Sequence, residues 1–99
     1  TLKLMKISEF QKHIEAIYFK KDSARGIEGT FMWFAEEVGE LTRAIRRDDD
    51  RENLEEEFAD VLAWLVTLAS MKGIDLETVA QKKYAQGCPY CSAVPCACS

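Results

Sequence analysis

The sequence predicts an all-α protein: an antiparallel bundle of about four helices with a short cysteine-rich C-terminal tail, assembled as an oligomer. Three observations lead there. Apolar residues recur at helical spacing along most of the chain, and no segment alternates as a strand would. The stretches between these segments are short, which makes successive helices antiparallel neighbours. All four cysteines fall between Cys88 and Cys98, so residues 1–86 form the helical domain and residues 87–99 a separate unit.

The first helix starts near Ser8, where Gln11 three residues on makes a capping-box pattern. Phe10, Ile14, Ile17 and Tyr18 form its apolar face, and Arg25-Gly26 ends it, glycine being a helix terminator. The second runs from about Gly29 or Thr30 to Arg47, with Thr30 as N-cap. Its stripe is Phe31, Phe34, Val38, Leu41 and Ile45. Gly39 inside it either admits a close helix approach or is simply tolerated, at roughly 1 kcal/mol relative to alanine.

The polar run Asp48-Asp49-Asp50 connects to a third helix, about Arg51 to Lys72, with Leu54, Phe58, Val61, Leu62, Leu65, Leu68 and Ala69 as its stripe. Gly73 ends it. Asp75 caps a fourth helix that extends through Tyr84. A chain of 99 residues builds only a thin core. Its five Phe, two Trp and three Tyr therefore imply apolar surface buried against another copy, as a dimer or tetramer.

Composition bounds the function. Hydrophobic residues make up 47% and charged residues 30%, as in a globular domain. A net charge of −4 argues against a nucleic-acid polymer as partner, because such binders replace phosphate counterions with basic side chains. No apolar run approaches the ~20 residues that span a bilayer. The first residues lack the pattern of a signal peptide, so the expectation is a cytoplasmic protein away from membranes.

The chemistry concentrates in carboxylates. Glu37 and Glu40 share one face of the second helix, as Glu57 and Asp60 do on the third, and Glu36 flanks Glu40. In a hairpin turning about Asp48-Asp49, Glu40 lies level with Glu57 and Glu37 with Asp60. One turn further out, Trp33 lies level with Trp64. Facing carboxylates raise one another's pKa and destabilise the bundle unless a cation lies between them. All-oxygen ligands select a hard divalent ion, Mg²⁺, Mn²⁺ or Ca²⁺. A ferritin-like di-iron site would want histidine three residues after a glutamate, and the single histidine, His13, is elsewhere. Glu52, Glu55 and Glu56 are expected to be solvated surface. Trp33 and Trp64 are either stacking platforms for a base or core and interface packing.

The run Glu36-Glu37-Val38-Gly39-Glu40-Leu41 followed by Glu57-Phe58-Ala59-Asp60 resembles the EExxE…ExxD signature of the MazG-type all-α nucleoside triphosphate pyrophosphohydrolases. Asp22…Arg25-Gly26 is similar to the family as well, and the likeness covers roughly residues 8 to 84. It implies hydrolysis of a nucleoside triphosphate to the monophosphate and pyrophosphate by a dimer or tetramer. Glu37, Glu40, Glu57 and Asp60 would be the Mg²⁺ ligands (Mn²⁺ is a substitute), and Glu36 would complete the shell or position the attacking water. Lys82 and Lys83 match the region where the family contacts phosphate. Tyr84-Ala85-Gln86-Gly87 follows them here, where the family continues with asparagine and arginine. Two rivals remain: a phosphoribosyl-ATP pyrophosphohydrolase, and a non-catalytic, metal-stabilised interaction module.

In the tail, Cys88-Pro89-Tyr90-Cys91 forms a knuckle-like CxxC, and Cys96-Ala97-Cys98 supplies two more thiols. Four thiolates so close in sequence fit one structural Zn²⁺, although CxC is an unusual second half. Two disulfides, or bridges between subunits, are the alternatives.

Overall fold

A computed structural model describes residues 5–99. Three helical elements are present, and no strand occurs among the described residues. They are α1 (Ile7–Arg47), α2 (Arg51–Met71) and α3 (Leu76–Tyr84). No helix among them is long and apolar enough to cross a membrane.

The first two expected helices run end to end within α1 and are separated by a kink at the expected Arg25-Gly26 position, where helical geometry is lost. The break is at Gly26, whose φ of 82° and ψ of 171° belong to a region that only glycine enters freely. The two arms stay joined because side chains bridge the bend. Thr30 Oγ1 donates to the Gly26 carbonyl (2.8 Å) and accepts from Arg25 Nη1 (3.2 Å), which also meets Asp22 Oδ1 at 2.9 Å. Thr30 is therefore no N-cap. It is completely buried inside the helix, bonding back one turn.

Ser8 and Gln11 likewise do something other than cap. The N-cap of α1 is Lys6, whose N–H donates to Glu9 (3.2 Å). Gln11 is buried and holds the α2–α3 junction. Its Nε2 donates to Ser70 Oγ (3.0 Å) and the Ile74 carbonyl (2.7 Å), and its Oε1 accepts from the Leu76 N–H (3.0 Å). Ser8 donates to the Glu77 carboxylate at 3.4 Å. These tertiary bonds fix α3 against α1.

The α1–α2 hairpin is the expected one. Asp48 adopts the left-handed conformation (φ 48°) and donates to the Ala44 carbonyl. Asp50 caps α2 by accepting from the Asn53 N–H (3.1 Å). Gly73 and Ile74 close α2 by donating to the Ser70 and Ala69 carbonyls, 3.0 and 2.8 Å. This is a Schellman motif, with Gly73 at the left-handed position (φ 69°).

The core is thin, as expected: Ile14, Ala44, Val66 and Ala69 are its buried apolar residues. Several stripe positions expected inside are open within one chain, among them Phe31, Val38, Ile45, Phe58, Leu62 and Leu65. Phe58 is 53% exposed and Met32 71%. The reason is geometric: α2 covers one side of α1, and α3, at nine residues, is too short to cover the other. Gly39 admits no close approach, since a Cβ there would meet nothing within 4 Å.

Candidate metal centre

The hairpin brings the two halves of the acidic signature together. Carboxylate oxygens of Glu37, Glu40 and Glu57 lie within 4.8 Å of one another. All three side chains are half-buried, whereas Glu36 and Asp60 are exposed. Asp60 does not join this tight group, yet its charge acts on Glu37 and Glu57. The equal-depth pairing of the sequence is thus closest for Glu40 with Glu57.

The electrostatics are those of a site short of positive charge. Burial, then the charges of Glu40, Asp60 and Glu57, push the Glu37 carboxyl up to about 7. Burial and the same neighbours raise Glu57 as well. One oxygen on each, Glu37 Oε2 and Glu57 Oε2, is buried without a hydrogen-bond partner. A buried carboxylate oxygen left unpaired is costly. Two of them converging beside Glu40 fit a hard divalent cation, which would take oxygen ligands and neutralise the cluster.

Two clefts adjoin the carboxylates. One, about 250 Å³, includes Tyr18, Lys21, Arg25, Asp60 and Trp64 among its walls. The other, about 260 Å³, lies toward the hairpin turn and includes Glu40, Arg43, Arg47, Asn53 and Glu57. Asp60 belongs to the first and Glu40 and Glu57 to the second, so the acidic group stands between an aromatic cleft and a basic-rimmed one.

Trp33 and Trp64 meet as their equal depth requires. The rings are nearly parallel, 7° apart, with centroids 6.2 Å apart. They pack on each other, and Trp64 alone is a wall of the aromatic cleft. The Arg25 guanidinium lies 5.0 Å from the Trp64 ring centroid, a cation–π distance. Lys82 and Lys83 are exposed in the last turn of α3, Lys83 over the Tyr84 ring, and neither is a wall of the two clefts.

Sequence reasoning overlooked Lys21, Arg43 and Arg47. Arg43 follows Glu40 by three positions and Arg47 follows Arg43 by four, so helical periodicity alone put them on the acidic face. Lys21 had no such signal, because it reaches the site only through the bend at Gly26.

The second candidate centre, in the tail, also assembles. Sulfurs of Cys88, Cys91, Cys96 and Cys98 lie within 4.8 Å of one another. Backbone donors to its sulfur, at Tyr90 and Cys91, hold the Cys88 thiol down at about 6; Cys91 is lowered by Ala97 and Ala93, and neighbouring thiols push Cys98 up to about 11.

Compared with known proteins, the chain matches the family model described as the MazG nucleotide pyrophosphohydrolase domain over residues 25–92, more than half its length. The match takes in all five acidic residues, Arg25, Arg43, Arg47 and both tryptophans, and it ends before Cys96 and Cys98. No curated protein matches the chain.

Proposed function

The chain belongs to the MazG nucleotide pyrophosphohydrolase family, and from that premise we propose that it hydrolyses a nucleoside triphosphate to the monophosphate and pyrophosphate, with Mg²⁺ held by Glu37, Glu40, Glu57 and Asp60. The observation that carries the metal assignment is the pair of buried, unpartnered oxygens on Glu37 and Glu57. Mg²⁺ bound there supplies charge neutralisation of the phosphates and polarisation of the attacked phosphorus.

The chain's own groups divide the remaining work. Asp60 faces the aromatic cleft, where Tyr18 and Trp64 offer ring surface to a nucleobase and Lys21 and Arg25 add positive charge. Arg43 and Arg47 rim the cleft on the other side of the carboxylates. They are placed to take the anionic phosphate tail, where paired guanidinium contacts both bind and orient. Glu36, exposed one turn before Glu40, is free to accept a proton from the attacking water without being consumed as a ligand. Trp33 supports Trp64 from behind by stacking and serves the base indirectly.

Self-association completes the reading. Phe31, Phe58, Leu62 and Leu65 are all exposed within one chain; exposed apolar surface marks an interaction site when it is contiguous, and a second copy would cover it.

Turnover of a panel of nucleoside triphosphates with Mg²⁺, run in ¹⁸O-labelled water, tests the proposal. Label in the monophosphate, with unlabelled pyrophosphate, marks attack at the α-phosphorus. Orthophosphate with a diphosphate co-product would refute the reaction class. Glu37→Gln and Asp60→Asn should each abolish turnover while the circular dichroism of the helices stays unchanged. Full activity in both variants would remove the metal assignment.

A further inference from the structure

We propose that the tail is a structural zinc site, one Zn²⁺ per chain bound by the sulfurs of Cys88, Cys91, Cys96 and Cys98, separate in ligands and in chemistry from the carboxylate centre.

The geometry is that of a knuckle closed on four sulfurs. All four Sγ atoms lie within 4.8 Å of one another, and Cys88 Sγ and Cys98 Sγ are 3.7 Å apart. Zn–S bonds of about 2.3 Å in a tetrahedron place sulfurs roughly 3.8 Å apart. A disulfide would hold two of them at about 2.05 Å, and all four cysteines are free.

The backbone is shaped for this closure. The Cys88 N–H donates to the Ala93 carbonyl (3.0 Å), and the Ser92 N–H to the Cys88 carbonyl (2.6 Å), with Ser92 in the left-handed region (φ 59°). Gly87 stands where no other residue fits: a Cβ there would lie 2.8 Å from both Ala93 O and Val94 Cγ2, at a φ of +112°. Two further N–H groups point at sulfur, Ala97 to Cys91 (3.3 Å) and Cys98 to Cys96 (3.4 Å). Such donors stabilise sulfur that carries negative charge, the form that binds metal.

Charge and burial supply the motive. From Tyr84 to Ser99 the chain carries no charged side chain, so no lysine or arginine within the tail can pair with a thiolate. No tail residue is fully buried, so no apolar core holds this fold together. A cation bound by the sulfurs answers both needs. On binding, each coordinating S–H gives its proton to solvent and its sulfur donates an electron pair to Zn²⁺; no oxidant or reductant takes part. Four soft thiolates in a tetrahedral set choose Zn²⁺, just as the carboxylates choose a hard ion.

The test uses the full chain, purified under reducing conditions without chelator and then equilibrated with Zn²⁺. Elemental analysis should find one zinc per chain. X-ray absorption at the zinc edge should find four sulfur neighbours at about 2.3 Å. Replacing zinc with Co²⁺ should give thiolate-to-metal charge-transfer bands. The double variant Cys88→Ser/Cys98→Ser should lose the zinc at least tenfold, and Glu37→Gln should keep it. Because the absorption measurement is made on the wild-type chain, a poorly folding variant does not blunt the test. Zinc surrounded by oxygen and nitrogen, iron in its place, four freely reactive thiols in the presence of Zn²⁺, or zinc lost with Glu37→Gln would each overturn the proposal.

Discussion

The affinity of the acidic centre for Mg²⁺ should depend on pH with a midpoint set by Glu37. Its carboxyl titrates near 7 in the metal-free chain because burial and the charges of Glu40, Asp60 and Glu57 oppose its ionisation. A cation must displace that proton, so the apparent Kd for Mg²⁺ rises as pH falls through 7. With one proton displaced, binding at pH 6 is about tenfold weaker than at pH 8, and each further unit downward costs about another tenfold. Glu57, raised as well, steepens the acidic end of the curve. Calorimetric titrations with Mg²⁺ in two buffers of different ionisation heat measure both quantities: the affinity, and the protons released, about half a proton from Glu37 at pH 7. Glu37→Gln removes the titrating group and one ligand. It should weaken binding about tenfold to a hundredfold and flatten the slope across neutral pH. A wild-type Kd constant between about pH 6 and 8, or a variant that keeps the full slope, would refute the reasoning.

Without divalent metal, the same group should act on stability with the opposite trend. Its folded pKa is raised from 4.5 to about 7, so the folded state holds the proton more tightly, and stability present below about pH 4.5 is lost as pH rises through 7. Thermal unfolding in magnesium-free buffer should show this loss, about 1 kcal/mol after solvent screening, and Glu37→Gln should remove it. Arg43→Ala with Arg47→Ala should raise the KM for a nucleoside triphosphate about tenfold or more, since charged hydrogen bonds are worth about 1.5–3 kcal/mol; an unchanged KM would take the phosphate tail out of that cleft. Phe58→Glu should lower the mass measured by light scattering from that of an oligomer to that of a single chain, because a charge on a closed apolar interface is strongly unfavourable. A monomeric wild type would show that this face has no second copy on it.

How much of this was legible beforehand depended on whether one periodicity or several contacts did the work. The hairpin needed only two helical stripes and a polar turn, so Glu40 with Glu57, and Trp33 against Trp64, followed from counting outward from Asp48-Asp49. The break at Arg25-Gly26 was legible as well, because glycine there is a helix-end signal and helical geometry is indeed lost at Gly26. What the sequence hid is the bridge from Asp22 through Arg25 to Thr30 across that break, because a bridge between residues is not a periodicity. Ser8 and Gln11 misled for the same reason: the residue types suited a local cap, but α3 competes for both, across more than sixty positions of chain. The cysteine tail was legible by clustering alone, while the closure that Gly87 admits was not, because it depends on how near the backbone of Ala93 comes.

That bend has a functional consequence. It swings the first arm of α1 over α2, so that Tyr18, Lys21 and Arg25 form one cleft with Asp60 and Trp64. A straight helix would carry the same side chains away from the carboxylates at 1.5 Å per residue. The aromatic cleft therefore depends on Gly26, a residue that touches nothing with a side chain of its own. The acidic group, built entirely below the bend on the hairpin, does not. The two parts of this region are fixed by different parts of the sequence: the clustered carboxylates by helical spacing and the turn at Asp48, and the aromatic cleft by one left-handed glycine with the threonine and arginine that brace it.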